Sequence, residues 1–127
     1  MPQAKSKGQI EDLISKEVTK FYAKHLGVGP NESRVYIIGD MIIIRLKSRL
    51  LPLEEKLLEH DDGIALIKDI RKAVHEVTVG GLSEIIKNIT QHNVISSHSD
   101  ISTKTGEIFQ VYVVDGEYET ELKKQFV

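Results

Sequence analysis

The 127-residue chain contains no cysteine, which excludes disulfide bonds, thiolate metal sites and cysteine nucleophiles. It also lacks an excess of either charge, since 17 basic and 19 acidic residues give a formal net charge of −2. Nucleic-acid-binding proteins usually carry a basic excess, and an aromatic content of 6% provides few side chains that could stack on bases. We therefore expect no nucleic-acid partner, and we expect a cytoplasmic protein.

Long hydrophobic runs are absent as well. Apolar runs such as Met41–Ile44 are far shorter than the ~20 residues that cross a membrane as a helix. The polar stretch 1–9 has no apolar segment of the kind found in a signal peptide. We expect no direct membrane insertion. With 40% hydrophobic and 28% charged residues, the composition predicts one globular domain over residues 1–127, with a flexible N-terminus at 1–8 and an acidic C-terminal tail at 115–127.

Hydrophobic periodicity predicts three helices in the first 90 residues. Apolar residues three and four apart begin at Ile10, Ser6 is placed to cap this helix, and Gly27-Val28-Gly29-Pro30 ends it. Pro52 suits the first turn of a short second helix, and Asp62 is placed to cap a long third helix.

The long third helix has the strongest periodicity of the chain. Its predicted core positions, spaced near 3.5 residues, are Ile67, Ile70, Val74, Val77, Leu82, Ile85 and Ile89. Gly80-Gly81 interrupts the pattern, and this pair either kinks the helix or lets another backbone approach closely.

Four β-strands are predicted in two hairpins. Val35–Ile38 and Met41–Leu46 flank a tight turn at Gly39-Asp40, and Val94–Ser102 and Ile108–Val114 form the second pair. The order is α-β-β-α-α-β-β, which predicts an α+β fold with a four-stranded, mainly antiparallel sheet and helices on one face. The sheet carries more apolar residues than two flanking helices cover, and this surplus predicts a homodimer.

Basic residues form the pattern that best suggests a ligand. Arg34 and Arg45 lie on paired strands and Arg71 lies on the long helix, so their convergence would form an anion site for bicarbonate, phosphate or a nucleotide. The alternative is a solvated sheet edge in which these side chains pair across strands with carboxylates such as Glu32. The three arginines are the candidate binding residues.

No set of residues has the spacing of a known catalytic or metal site. The five histidines do not form a metal-ligand pattern, and no Gly-x-Ser-x-Gly motif is present. His98 and Asp100 alternate on one strand, where they form either an acid–base pair or a polar strand edge. We predict no catalytic residue, no metal and no cofactor. A small anion- or nucleotide-binding sensor or enzyme built on the arginines is the alternative function.

The order of these features resembles the MpsC-like family of small bacterial proteins. The likeness runs from about Ile10 to Val114 and rests on Gly27-Val28-Gly29-Pro30, the strand pair Arg34–Leu46, Leu50-Leu51-Pro52-Leu53-Glu54, Gly63, Arg71 and the final strand Ile108–Val114. Two positions depart from the family pattern: Leu51 stands where threonine is usual, and Thr90-Gln91-His92 stands where Thr-Gly-Arg is common. The resemblance implies a cytoplasmic accessory or regulatory protein of a membrane-potential-generating, sodium- or bicarbonate-linked system, with a membrane transport protein as its partner.

Overall fold

The computed structural model describes residues 5–27 and 29–124. Within them the chain forms α1 (Lys7–Leu26), β1 (Glu32–Ile38), β2 (Met41–Lys47), α2 (Pro52–Leu57), α3 (Gly63–Thr90), β3 (Val94–Ile101), β4 (Ile108–Val114) and α4 (Tyr118–Lys124). The α+β class and the predicted order of elements are confirmed.

The four strands form one antiparallel sheet in the order β1-β2-β4-β3. Gly39-Asp40 joins the first two strands in a two-residue turn, where Ile38 pairs with Met41 and Gly39 has a φ of +60°. Alternate residues of β1, β2 and β4 are buried beneath the helices, as the period-2 pattern of a one-sided sheet requires. The opposite face of the sheet is called the open face below.

Helix α1 begins at Lys7, inside the stretch 1–8 that the sequence predicted to be a flexible N-terminus. Ser6 and Gln9 form a capping box, because the Gln9 backbone N–H donates to Ser6 Oγ at 3.2 Å and the Ser6 N–H donates to Gln9 Oε1 at 2.8 Å. Lys7 and Gly8 therefore belong to the first helical turn. Residues 1–4 lie outside the described residues. Gly27 ends the helix with a φ of +74°.

Helix α3 runs without a break through Gly80-Gly81. A Cβ added at Gly81 would lie 2.4 Å from Cε2 of Phe21, whereas one added at Gly80 would meet nothing within 4 Å. Gly81 is therefore a notch that receives the Phe21 side chain of α1. The sequence predicted a kink or the approach of another backbone, and the group that approaches is a side chain. Asp62 does precede the helix as its N-cap, but its side chain makes no capping hydrogen bond within the described part of the chain.

The predicted core face of α3 is partly wrong. Ile67 and Leu82 are buried, but Val77 is 82% exposed and Thr78 takes the inward position instead. A helix with 3.6 residues per turn drifts by about 20° per heptad against a strict seven-residue repeat, so a fixed spacing loses the core face over six turns. Thr78 tolerates burial because its hydroxyl donates to the Val74 carbonyl at 2.7 Å.

The predicted acidic tail contains helix α4, which packs against the body of the fold. Tyr118 and Leu122 of this helix belong to the hydrophobic core. Glu119 ties the helix to the first hairpin, because its side chain accepts from the Gly39 N–H at 3.1 Å. Residues 125–127 lie outside the described residues. Among the helices described, none is both long and apolar enough to cross a membrane.

Candidate functional site

A cavity of about 650 Å³ opens on the helical side of the sheet. It opens between the C-terminal end of α1, the connection after β2, and helices α2 and α3, all on the helical side of the sheet. Its walls are mostly aliphatic and include Leu26, Leu46, Leu50, Ile70, Val74 and Ile108. A volume of this size lies within the range of small-molecule sites.

An ion pair between Glu54 and Arg71 lines this cavity. Nε and Nη2 of Arg71 donate to the two carboxylate oxygens of Glu54, each at 2.7 Å. Glu54 is only 3% exposed, and the Arg71 side chain is 18% exposed. Pro52 begins α2, so Glu54 falls at the third helical position, where its Oε1 also accepts from the Leu51 N–H at 2.9 Å.

The ionised form of Glu54 is held in place by these donors. Burial alone would raise the pKa of its carboxyl, but the hydrogen bonds from Arg71 and from the Leu51 N–H outweigh burial and lower the pKa below its ordinary value. The pair is thus a charge-neutral unit in an apolar wall, and the two charges compensate each other's desolvation.

A chain of buried hydrogen bonds reaches the same cavity from the sheet. The Tyr112 hydroxyl donates to Oε1 of Gln110 at 2.9 Å, and Nε2 of Gln110 donates to the Tyr22 hydroxyl at 2.6 Å. All three residues are buried, and Tyr22 also lines the cavity. Burial raises the pKa of both tyrosines, so both hydroxyls keep their protons.

The three arginines predicted as an anion site do not meet. Arg34 and Arg45 lie opposite each other on β1 and β2, on the open face of the sheet. Arg71 lies on α3, on the helical side. Arg34 pairs with Glu32 at 2.8 Å and Arg45 pairs with Glu107 at 2.9 Å, so each arginine has a carboxylate partner, as in the alternative that the sequence left open.

His98 and Asp100 share a face of β3 by register, but only Asp100 lies near Arg71, with which it lines two smaller cavities. His98 pairs with Val111 on the open face, while Arg71 lies beneath the opposite face. Asp100 binds Lys68 at 2.8 Å, which holds the pKa of this carboxyl below its usual range. The arrangement offers no acid–base pair for the cavity. Across the described ranges, no group of three or more His, Asp or Glu side chains is placed to hold a metal ion.

The open face forms a second candidate surface, and it is largely apolar. By register, one row across the sheet contains Tyr36, Ile43, Val111 and His98, and the next contains Ile38, Met41, Val113 and Ser96. Ile38 is 47% exposed and Phe109 is 42% exposed. The helices of the described chain pack on the other face, so these side chains lie open to contact with another molecule.

Sequence reasoning missed the residues that give the cavity its polar side. Gln110 was visible as the one polar side chain on the inward positions of an otherwise apolar strand, and that was a usable signal for a buried hydrogen-bond network. Glu54 gave a weaker signal, because a glutamate after Pro52 is typical of an exposed first helical turn. Its burial depends on Arg71, which is 17 residues away in the chain.

Comparison with known proteins places the chain in a family. Residues 6–116 match the family described as Na+-translocating membrane potential-generating system (MpsC). The chain belongs to the MpsC family. It is also 38% identical over 120 residues to the uncharacterized protein YbcI of Bacillus subtilis (strain 168), a match that covers 94% of this chain and 97% of YbcI. No solved structure matches the chain. The MpsC family resemblance predicted from the sequence is confirmed, and Glu54, Arg71 and Gly63 all lie within the matched range.

Proposed function

We propose that this MpsC-family protein is a non-enzymatic, cytoplasmic accessory protein of a membrane-potential-generating transport system for sodium or bicarbonate. In this proposal it acts as a homodimer joined through the open face of its sheet and contacts a membrane transport protein. Family membership supports the link to such a system. The apolar open face is the single observation that supports action through protein contacts.

The open face is costly to leave in water. Burying apolar surface contributes about 25 cal/mol per Å², and soluble monomers rarely expose large contiguous apolar patches. Tyr36 and Ile38 on β1 and Phe109 on β4 are each more than a third exposed on this one face of the sheet. A partner that covers this face would bury the apolar side chains that the chain's own helices leave exposed.

The edges of the sheet are less suited to association than its face. On β1 the Ile37 N–H already donates to Oε2 of Glu11 at 2.8 Å, and on β3 the Ile101 carbonyl accepts from Lys68 at 3.1 Å. Side chains that occupy edge groups block strand addition by another chain. This favours face-to-face packing over edge-to-edge pairing.

The charges on the face favour a second copy as the occupant. One row across the sheet reads Arg34, Arg45, Phe109 and Asp100. A two-fold axis parallel to the strands, between β2 and β4, sets β1 of one copy over β3 of the other. Arg34 then lies over Asp100 of the second copy, and Arg45 lies over its Phe109, where a cation–π contact is favourable. The face is therefore complementary to itself.

Sedimentation velocity at micromolar concentration tests the dimer. We expect the wild type to be dimeric and Phe109→Arg to be monomeric, because the change removes the cation–π contact and sets an arginine over Arg45 of the second copy, where like charges repel. Val77→Arg is the charge-matched control, since Val77 is also an exposed apolar residue but lies on α3, away from the open face. A monodisperse wild-type monomer would contradict the dimer.

Charge exchange tests the proposed orientation. Arg34→Asp alone and Asp100→Arg alone should each weaken the dimer, and the double variant should restore it. The ion pairs that these changes remove within the chain are exposed and contribute little to folding. A double variant as weak as the single variants would exclude this register. The Phe109→Arg result would then decide whether the dimer still uses the open face in another arrangement.

A cellular measurement tests the transport role. In cells that lack the protein, we expect Na+-dependent generation of membrane potential, read with a potential-sensitive dye, to be reduced. Wild type and Val77→Arg should restore the signal, and Phe109→Arg should not. Full activity without the protein would contradict the accessory role.

A further inference from the structure

The cavity between α1, α2 and α3 has hydrogen-bond donors that the fold leaves unused. Both hydrogen bonds of the Tyr112–Gln110–Tyr22 chain point the same way, because the Tyr112 hydroxyl donates to Gln110 and Gln110 donates to the Tyr22 hydroxyl. Tyr22 receives a hydrogen bond, but its own hydroxyl proton is donated to no residue that the structure describes. Tyr22 is only 6% exposed, so this donor is buried at the cavity wall.

Arg71 supplies further donors at the same wall. Its Nε and Nη2 are engaged by Glu54, while its Nη1 has no hydrogen-bond partner within residues 5–27 and 29–124. Arg71 is close enough to Tyr22 for its charge to act on the pKa of the tyrosine, although burial, which raises that pKa, dominates. Tyr22 and Arg71, which both line the cavity, therefore each leave a donor available to an occupant.

The charges around the cavity favour an anion. Arg49 and Arg71 carry positive charge and Glu54 carries one negative charge, so the three charged residues of the lining leave a net charge of +1. The remaining wall is dominated by aliphatic side chains such as Leu26, Ile70 and Val74. A ligand that matches both the positive charge and the aliphatic wall carries a negatively charged acceptor group and an apolar tail.

We propose that this cavity binds a small monocarboxylic acid with an apolar tail. Its carboxylate accepts from the Tyr22 hydroxyl and from Nη1 of Arg71, and its tail packs against the aliphatic wall. Glu54 holds Arg71 in place. Its negative charge offsets one of the two arginine charges of the lining, so the site accommodates a ligand with a single carboxylate. The cavity lies on the helical side of the sheet, so the proposal does not depend on the homodimer or on the transport role.

Titration calorimetry with straight-chain carboxylates from butyrate to decanoate, each below its micelle concentration, tests the site. We expect saturable binding whose affinity rises about fourfold per added methylene while the tail fills the wall, and then levels off. Octanol is the neutral probe of matched tail length, and we expect it to bind at least tenfold more weakly than octanoate. A series in which no carboxylate binds saturably would overturn the proposal.

Two variants test the location of the ligand. Tyr22→Phe keeps the ring and removes the donor, and we expect it to weaken octanoate about tenfold. Ile70→Trp places a large side chain at the wall and should abolish binding. Ile64→Trp is the control for Ile70→Trp, because Ile64 is exposed on the same helix but does not line the cavity.

The outcomes separate a built site from adsorption on the surface. Circular dichroism first establishes that each variant is folded. Wild-type affinity in folded Tyr22→Phe would overturn the assigned donor, and with it the proposal. If affinity keeps rising with tail length and Ile70→Trp leaves it unchanged, the carboxylates adsorb on the surface. That result would overturn the proposed site. Because Arg71 also holds Glu54, its substitution is not used as a test of binding.

Discussion

Glu54 and Arg71 join the short helix α2 to the long helix α3 through two parallel hydrogen bonds of 2.7 Å each. Helix α2 has only six residues, too few to be stable by itself. Its position therefore depends on tertiary contacts, of which this buried ion pair is the most polar. Because the pair also lines the cavity, the same contact that fixes α2 shapes one wall of the candidate ligand site.

A double-mutant cycle should reveal strong coupling between these two residues. Glu54→Ala leaves the Arg71 guanidinium largely buried without its partner, and Arg71→Ala leaves the Glu54 carboxylate likewise, so each should cost about 3 kcal/mol of unfolding free energy. The double variant should cost less than the sum by about 1–3 kcal/mol. Urea denaturation measures all four proteins. Additive losses would mean that the pair contributes no interaction energy of its own.

The same pair predicts a loss of stability in acid. The pKa of Glu54 is lower in the folded chain than its ordinary value near 4.5, so the folded state favours the ionised carboxyl. The resulting stabilisation is present above pH 4.5 and is lost as the pH falls through the folded-state pKa. Glu54→Gln lacks this titration. Its unfolding free energy should change less than that of the wild type between pH 5 and about pH 3, and parallel curves would contradict the assignment.

His92 predicts a pH dependence of the opposite sign at the other end of α3. Its Nε2 lies 2.9 Å from Glu121 and its Nδ1 lies 2.8 Å from Asp115, so the imidazole bridges two carboxylates. The hydrogen bond to Glu121 is the largest of the effects that raise the pKa of His92 above 6.5. The stabilisation is complete below pH 6.5 and is lost as the pH rises through the folded-state pKa.

The matched variant for His92 keeps the positive charge at all pH values. His92→Arg, the residue type common at this position in the family pattern, should flatten the decline in melting temperature between about pH 6 and 9. His92→Gln should start lower and also show little change. The Tyr118 ring packs against His92 at a centroid distance of 5.3 Å, so loosening of α4 is the expected local change. A wild-type decline that persists in His92→Arg would assign the titration elsewhere.

The neighbouring glycines of α3 should respond differently to the same substitution. Gly80→Ala adds a methyl group in open space, and alanine is favoured over glycine in a helix by about 1 kcal/mol, so this change should stabilise the protein. Gly81→Ala gains the same helix propensity but must displace the Phe21 ring. The centroid of that ring lies 4.4 Å from the centroid of the His25 ring. Thermal unfolding should rank Gly80→Ala above Gly81→Ala, and equal stability would mean that the notch is not needed.

The elements of this fold were predictable because each has a local cause. Ser6 and Gln9 cap α1 within one turn, Gly39-Asp40 determines the first hairpin, and Pro52 begins α2. These signals act over two to four residues and need no knowledge of the tertiary fold. The outward position of Val77 was not predictable from periodicity, because the rotation of a 28-residue helix depends on what packs against each turn.

The candidate site was harder to predict than the fold because its residues come together only in three dimensions. Charge pattern alone placed Arg34, Arg45 and Arg71 in one group, but strand register and helix position put them on two sides of the sheet. The contact that forms the cavity wall, Arg71 with Glu54, joins residues of opposite charge from different elements. Spacing in the chain carries no information about such a pair.

Gln91 offers a test of backbone strain at the C-terminal end of α3. It is the one residue other than glycine with a positive φ among those described, at +63°, a conformation that costs a side-chain-bearing residue roughly 1 kcal/mol. Gln91→Gly should therefore raise the unfolding free energy by about 1 kcal/mol, less the small contribution of the exposed hydrogen bond from Gln91 Nε2 to the Asn88 carbonyl.

The end of α1 provides the reverse experiment in the same protein. Gly27 has a φ of +74°, and a Cβ added there would meet nothing within 4 Å, so Gly27→Ala introduces backbone strain without a steric clash. It should lower the unfolding free energy by about the amount that Gln91→Gly raises it. Opposite shifts of similar size, measured by urea denaturation, would identify the left-handed backbone as the common cause. Shifts of the same sign would instead trace the Gln91 effect to its side-chain hydrogen bond.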